Sequence, residues 1–181
     1  MAPLVLVVGM PGCGKGEFVS VAPAFGYRIL SLGDIVRSEA RRRGKDVKAS
    51  GAVAVALREE LGEAALALCA LPHLREGEKT LIDGIRSHAE VAAFKKVHDA
   101  VVVGIHASPA TRYARLSARG REDDPRTWDA FAERDVRELG FGIGNAIALA
   151  DTMIINEGGV EDLHRAAETV LEGIDHGVYK H

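Results

Sequence analysis

Gly9-Met10-Pro11-Gly12-Cys13-Gly14-Lys15-Gly16 follows an apolar run, residues 3–8, and leads into a segment of helical character, residues 15–22. A run with no polar break has no solvent-facing side, so it reads as a strand buried on both faces of a parallel sheet. The octapeptide fits the pattern GxxxxGK between a strand and a helix. Glycines let backbone N–H groups turn inward without a Cβ in the way, which forms an anion cradle. The helix N-terminus adds the positive end of its dipole, and a lysine at position 15 reaches the β- and γ-phosphates of a bound nucleotide. Gly9 to Gly16, with Lys15 at the centre, form the candidate phosphate loop.

Working outward, residues 27–30, 80–82, 100–106 and 153–155 read as further short strands. Helices are expected over residues 34–43, 52–71, 89–97, 109–118 (with Ser108 as N-cap), 127–139 and 161–171. The 52–71 helix is rich in alanine and leucine and closes at Pro72. Short buried strands alternating with helices mean an α/β fold with a mostly parallel sheet. Right-handed crossovers then bring ligands to the carboxyl ends of the strands. Four segments fall there: residues 9–16, 31–37, 83–86 and 106–108. His106, at such an end, is expected to hydrogen-bond in a loop.

The chain has 181 residues, 47% hydrophobic and 27% charged, which fits one globular domain. A net charge of −3 argues against a non-specific nucleic-acid binder. No apolar run approaches the roughly 20 residues of a membrane span, and the N-terminus lacks the basic n-region of a signal peptide, so a cytoplasmic protein is expected. Two cysteines, Cys13 and Cys69, are too few for a disulfide framework and show no zinc-ligand spacing. Glycine is enriched, 20 of 181, and aromatic residues are scarce at 5%, which suits phosphate loops better than stacking platforms.

Position 16 is Gly rather than the Ser or Thr that holds Mg²⁺ in many phosphate loops, and Glu17 follows. A carboxylate beside phosphates is tolerated when a cation or water lies between, so Glu17 is a candidate to hold Mg²⁺ through water. Asp83, at a strand end, is a second.

The octapeptide closely resembles the GxPGxGKG loop of adenylate kinases and related nucleoside monophosphate kinases, where a glycine also follows the lysine. Ser31-Leu32-Gly33-Asp34-Ile35-Val36-Arg37 resembles that family's STGDxLR segment, with Leu32 in place of Thr. Ile82-Asp83-Gly84-Ile85-Arg86 resembles DGFPR without its proline. Arg115 to Arg121, and Arg134 with Arg137, resemble the arginines entering and leaving the family's lid. Residues 150–158 resemble the last strand and turn of dephospho-coenzyme A kinases, and the order of motifs resembles an archaeal group of adenylate-kinase-related proteins.

The resemblance covers essentially the whole chain. It implies a three-layer P-loop kinase fold: a five-stranded parallel sheet in the order 2-3-1-4-5, helices on both faces, a monophosphate-binding insertion at about 31–72 and a short lid at about 119–134. It implies ATP and Mg²⁺ as cofactors and transfer of the γ-phosphoryl group to a nucleoside monophosphate, AMP foremost. The implied ATP-binding residues are Gly9, Met10, Pro11, Gly12, Cys13, Gly14, Lys15, Gly16 and Glu17. Lys15, Arg119 and Arg134 are the implied catalytic cations. Asp34, Arg37, Asp83, Gly84 and Arg86 are the implied acceptor side. Two alternatives stay open. One is a dephospho-coenzyme A type of kinase with a hydroxyl acceptor and Asp34 as base. The other is a nucleotide-responsive binding protein or slow ATPase. No oligomeric state follows from the pattern.

Overall fold

The computed structural model describes residues 3–121 and 124–179. Residues 122 and 123, two acids of the charged loop, lie outside that range. β1 (Leu4–Val8), β2 (Arg28–Ser31), β3 (Thr80–Asp83), β4 (Ala100–His106) and β5 (Thr152–Ile155) form one sheet in the order β2-β3-β1-β4-β5. Every pairing is parallel. β1 lies in the middle, and all five of its residues are buried, as its unbroken apolar sequence requires.

Side chains alternate across the sheet, so each face has its own core. Leu4, Leu6 and Val8 face α2 (Leu32–Arg42), α3 (Ser50–Leu61), α4 (Ala65–Ala70) and α5 (His88–Val97), where Val36, Leu57, Leu66 and Phe94 meet them. Val5 and Val7 face α1 (Lys15–Val21) and α9 (Val160–Asp175), where Phe18, Leu163 and Leu171 complete the layer. α6 (Pro109–Arg119), α7 (Trp128–Gly140) and α8 (Ile143–Ala148) complete the helices. Among the described residues no helix is long and apolar enough to cross a membrane.

Side-chain caps fix where the chain turns from strand to helix. Ser31 caps α2 by accepting from the Asp34 N–H, and Ser108 caps α6 by accepting from Thr111, with Pro109 at the first helical position. Ser87 and Thr127 cap α5 and α7 in the same way. Each such cap contributes about 1 kcal/mol. The Ser31 and Ser108 caps hold helix N-termini immediately past the carboxyl ends of β2 and β4.

Two sequence expectations need correction. The single helix over 52–71 is two helices, α3 and α4, broken where Gly62 takes φ 84° and ψ −177°. Alanine-rich sequence on both sides favours helix, but that backbone conformation belongs to glycine alone. The second correction is α8, a helix over a segment that the sequence analysis leaves unassigned. Gly142 turns, at φ 89°, while Gly144 is helical and lets Leu139 pack close by.

The break gives a test with opposite signs. In a continuous helix, Gly62→Ala would stabilise by about 1 kcal/mol. With the break, the same change strains the backbone, and denaturant unfolding should show a loss of about 1–3 kcal/mol. Apart from Gly62 and its two chain neighbours, no atom of the described residues lies within 4 Å of the added Cβ, so packing contributes little to the result.

Candidate functional site

A cavity of about 660 Å³ opens at the carboxyl ends of the strands. Lys15, Arg86, Arg115, Arg119, Arg121 and Arg134 line it, opposed by the carboxylates of Glu17 and Asp83. The phosphate loop forms one wall. Gly14 takes φ 104°, and a Cβ there would lie 2.4 Å from the Asn156 side-chain nitrogen. Gly9 also needs its missing side chain, since a Cβ would meet the Ile105 carbonyl oxygen at 2.4 Å. The loop therefore presses against β4 and the residue that follows β5.

Most of the cations are already held by oxygens of the protein. Lys15 Nζ donates to the Gly9 carbonyl and, at 3.4 Å, to that of Met10. Arg115 donates to the carbonyls of Asn156 and Gly158, each at 3.0 Å, and Asn156 in turn donates its side-chain N–H to the Cys13 carbonyl at 2.9 Å. Arg119 grips Asp124 with two donors, Nε at 2.9 Å and Nη2. Arg134 stands 3.6 Å from the same carboxylate, and the Arg121 backbone N–H reaches it at 3.0 Å. The Arg119 hydrogen bonds hold the Asp124 carboxyl down at about 2, against the upward push of burial.

On the β3 side, Arg86 points at Glu138 of α7 at 3.4 Å. Its backbone N–H donates to Glu90 at 2.8 Å. Glu90 is fully buried, and Arg58 reaches it at 3.2 Å while lying 5.3 Å from the centre of the Phe141 ring. Burial pushes the Glu90 carboxyl above the usual range, partly offset by the Arg86 and Ser87 N–H groups and by Arg58.

The structure thus brings Pro11, Gly12, Gly14, Lys15, Gly16, Glu17, Asp83, Arg86, Arg119 and Arg134 to one cavity, while Gly9, Met10 and Gly84 are outside its lining. Asp34 and Arg37 do not line it. They form an i,i+3 ion pair on the outer face of α2, with side chains 70% and 42% exposed. Cys13 is buried in the core on the α1 side, and His106 is exposed outside the cavity lining. The Glu17 carboxylate meets His164 of α9 at 3.1 Å. Two carboxylates on one cavity suit Mg²⁺, a hard cation that keeps several waters and takes one or two carboxylates beside phosphate oxygens.

Sequence reasoning missed Arg112, Glu90 and Glu138 as site-supporting groups. A signal existed for Arg112. It lies one turn before Leu116 on α6, so it shares the apolar face, and both are buried.

Asp124 gives a pH test. Its carboxyl is lowered from 3.8 to about 2 in the folded protein. The stability it contributes is present above about pH 4 and is lost as pH falls through about 2. In denaturant titrations, Asp124→Asn should be less stable than the parent at neutral pH. The gap should shrink steadily between pH 4 and pH 2. A gap constant over that interval would contradict the caged-carboxylate geometry.

A family model described as an AAA domain matches residues 8–131 of this chain. A UPF0200 protein of Methanocaldococcus jannaschii is 42% identical over 184 residues, spanning 98% of this chain and 93% of that protein. The crystal structure of TT1252 from Thermus thermophilus superposes with a TM-score of 0.65 at 18% identity, over 94% of this chain and 96% of that one. A dephospho-CoA kinase from Campylobacter jejuni superposes with a TM-score of 0.64 at 15% identity, over 96% and 98%. At those identities the two structures share the fold. A five-stranded parallel sheet in this order, with a phosphate loop after β1, is the P-loop kinase fold, and the chain that carries it here belongs to the UPF0200 proteins.

Proposed function

We propose that the protein is an ATP-dependent kinase that transfers the γ-phosphoryl group to a nucleoside monophosphate, AMP foremost. The observation that carries this reading is the cavity, in which six cations from four separate segments converge on the phosphate loop. Such a concentration of positive charge suits a ligand with several phosphates. Its two sides suit two ligands. Lys15 and the loop N–H groups belong to the triphosphate, and Arg86, just past the end of β3, belongs to the acceptor phosphate.

In this reading an oxygen of the acceptor phosphate attacks the γ-phosphorus, and ADP leaves with the electrons of the broken P–O bond. The acceptor is anionic at neutral pH, so no general base is required. Catalysis is positioning plus charge stabilisation. Arg119 and Arg134 exchange the Asp124 carboxylate for oxygens of the transferring group, and Lys15 exchanges the Gly9 carbonyl for the β- and γ-phosphates. Mg²⁺, when bound with the triphosphate, neutralises charge on its β- and γ-oxygens, and Glu17 and Asp83 are the residues that would hold its water shell. Arg37 joins the acceptor phosphate by leaving Asp34. An exposed ion pair of that kind is worth about 0–1 kcal/mol, so a phosphate competes for it readily.

An acceptor panel tests this directly. With ATP and Mg²⁺, ADP should form in proportion to added AMP, and Lys15→Ala should abolish turnover while leaving the fold intact. Turnover with dephospho-coenzyme A alone, or tight AMP binding without turnover, would replace this reading with one of its rivals. Arg37→Ala should raise the acceptor KM by about 10- to 150-fold, the worth of one charge-assisted hydrogen bond, and leave the ATP dissociation constant within about twofold. An unchanged acceptor KM would confine Arg37 to its ion pair with Asp34.

A further inference from the structure

Behind the phosphate loop lies a buried cation that does not line the cavity. Arg112 of α6 is 4% exposed. Its Nη1 donates to Asp135 of α7 at 2.8 Å and to the Pro11 carbonyl at 3.2 Å, its Nη2 donates to the second Asp135 oxygen, and its Nε donates to the Ala107 carbonyl at 3.1 Å. The Phe131 ring, also on α7, lies 4.9 Å from the guanidinium. The loop is packed onto this residue as well as bonded to it: a Cβ on Gly12 would meet the Arg112 carbonyl oxygen at 2.8 Å and its Cβ at 3.1 Å. One side chain thus ties together the phosphate loop, the β4–α6 connection and α7.

A buried ion pair is a poor device for stability alone, because the cost of taking both charges out of water offsets their attraction, and apolar residues of similar size do as well. It does supply directional bonds in fixed geometry. The residue before Asp135 is Arg134, which lines the cavity. On a rigid helix, holding Asp135 also holds the base of Arg134.

We infer that Arg112 and Asp135 are positioning residues that set where Arg134 stands relative to the phosphate loop. The inference rests on the nucleotide-binding reading above, and it assigns to a pair that never touches the ligand the job of registering α7 against the triphosphate. A lysine at position 112 keeps the charge but cannot bond two Asp135 oxygens, Pro11 and Ala107 from one planar group.

The test is a double-mutant cycle read by equilibrium titration of ATP into the full chain. Arg134→Ala alone should weaken ATP binding by about 10-fold, and Arg112→Lys alone by a similar factor, each the scale of one charge-assisted hydrogen bond. If Arg112 acts through Arg134, adding Arg134→Ala to Arg112→Lys should cost less than about a further twofold, the coupling expected of residues in one network. Losses that multiply to about 100-fold would mean two independent effects and would overturn the inference. So would an Arg112→Lys protein that binds ATP like the parent, or an Arg134→Ala protein that does. Should Arg112→Lys fail to fold, Asp135→Asn takes its place in the same cycle, since the amide keeps one acceptor for Arg112. A parent protein that binds no nucleoside triphosphate is a different result, and it would overturn the nucleotide-binding reading itself.

Discussion

Crowding positive charge into one cavity is the constraint around which this molecule is arranged. Two like charges about 4 Å apart repel by about 4 kcal/mol at the effective dielectric of a protein surface. Six cations of the described residues line a cavity of about 660 Å³. The chain answers with oxygens of its own. Carbonyls of Gly9, Asn156 and Gly158 and carboxylates of Asp124 and Glu138 take the donors of Lys15, Arg115, Arg119 and Arg86. On the proposed reading, these are the donors that a polyphosphate would take. Binding, on that reading, exchanges partners for Lys15, Arg86, Arg115 and Arg119, which spares the cost of leaving those charges unpaired.

The fold places the exchange. The parallel sheet brings the ends of β1, β3, β4 and β5 to one edge, and the caps at Ser31 and Ser108 start helices there. The glycines of the loop allow it to press against Asn156 and Ile105. α7 then runs from the phosphate loop toward the end of β3, with Asp135 against the Arg112–Pro11 corner and Glu138 against Arg86. Arg134 lies one residue before the first of those acids and lines the cavity itself. A single helix thereby touches both halves of the cavity.

Much of this was legible in the sequence because local chemistry and global fold agree there. An unbroken apolar run followed by GMPGCGKG admits few readings, and the strand ends that gather Lys15, Asp83 and Arg86 follow from the parallel topology. The rest depends on tertiary geometry. Ala52 to Leu71 carries strong helix formers almost throughout, and the break at Gly62 shows only once α3 and α4 are seen packed against α2 and α5. Arg37 matches a phosphate-gripping position by motif, yet its nearest carboxylate, Asp34, lies three residues before it and holds it on the helix surface. Arg112 shares the α6 face of Leu116, which signals burial without signalling what the guanidinium binds. Its burial depends on Asp135, 23 residues away, and no spacing rule connects the two.

Everything proposed for the cavity depends on phosphate displacing the protein's own oxygens from those cations. Calorimetric titration of ATP, ADP, AMP and adenosine at low and high salt measures this most directly. If the exchange occurs, ATP binds at least about 10-fold more tightly than adenosine, the scale of one charge-assisted hydrogen bond to phosphate, and its affinity falls as salt screens the cavity. Adenosine binding as tightly as ATP, with no dependence on salt, would contradict it.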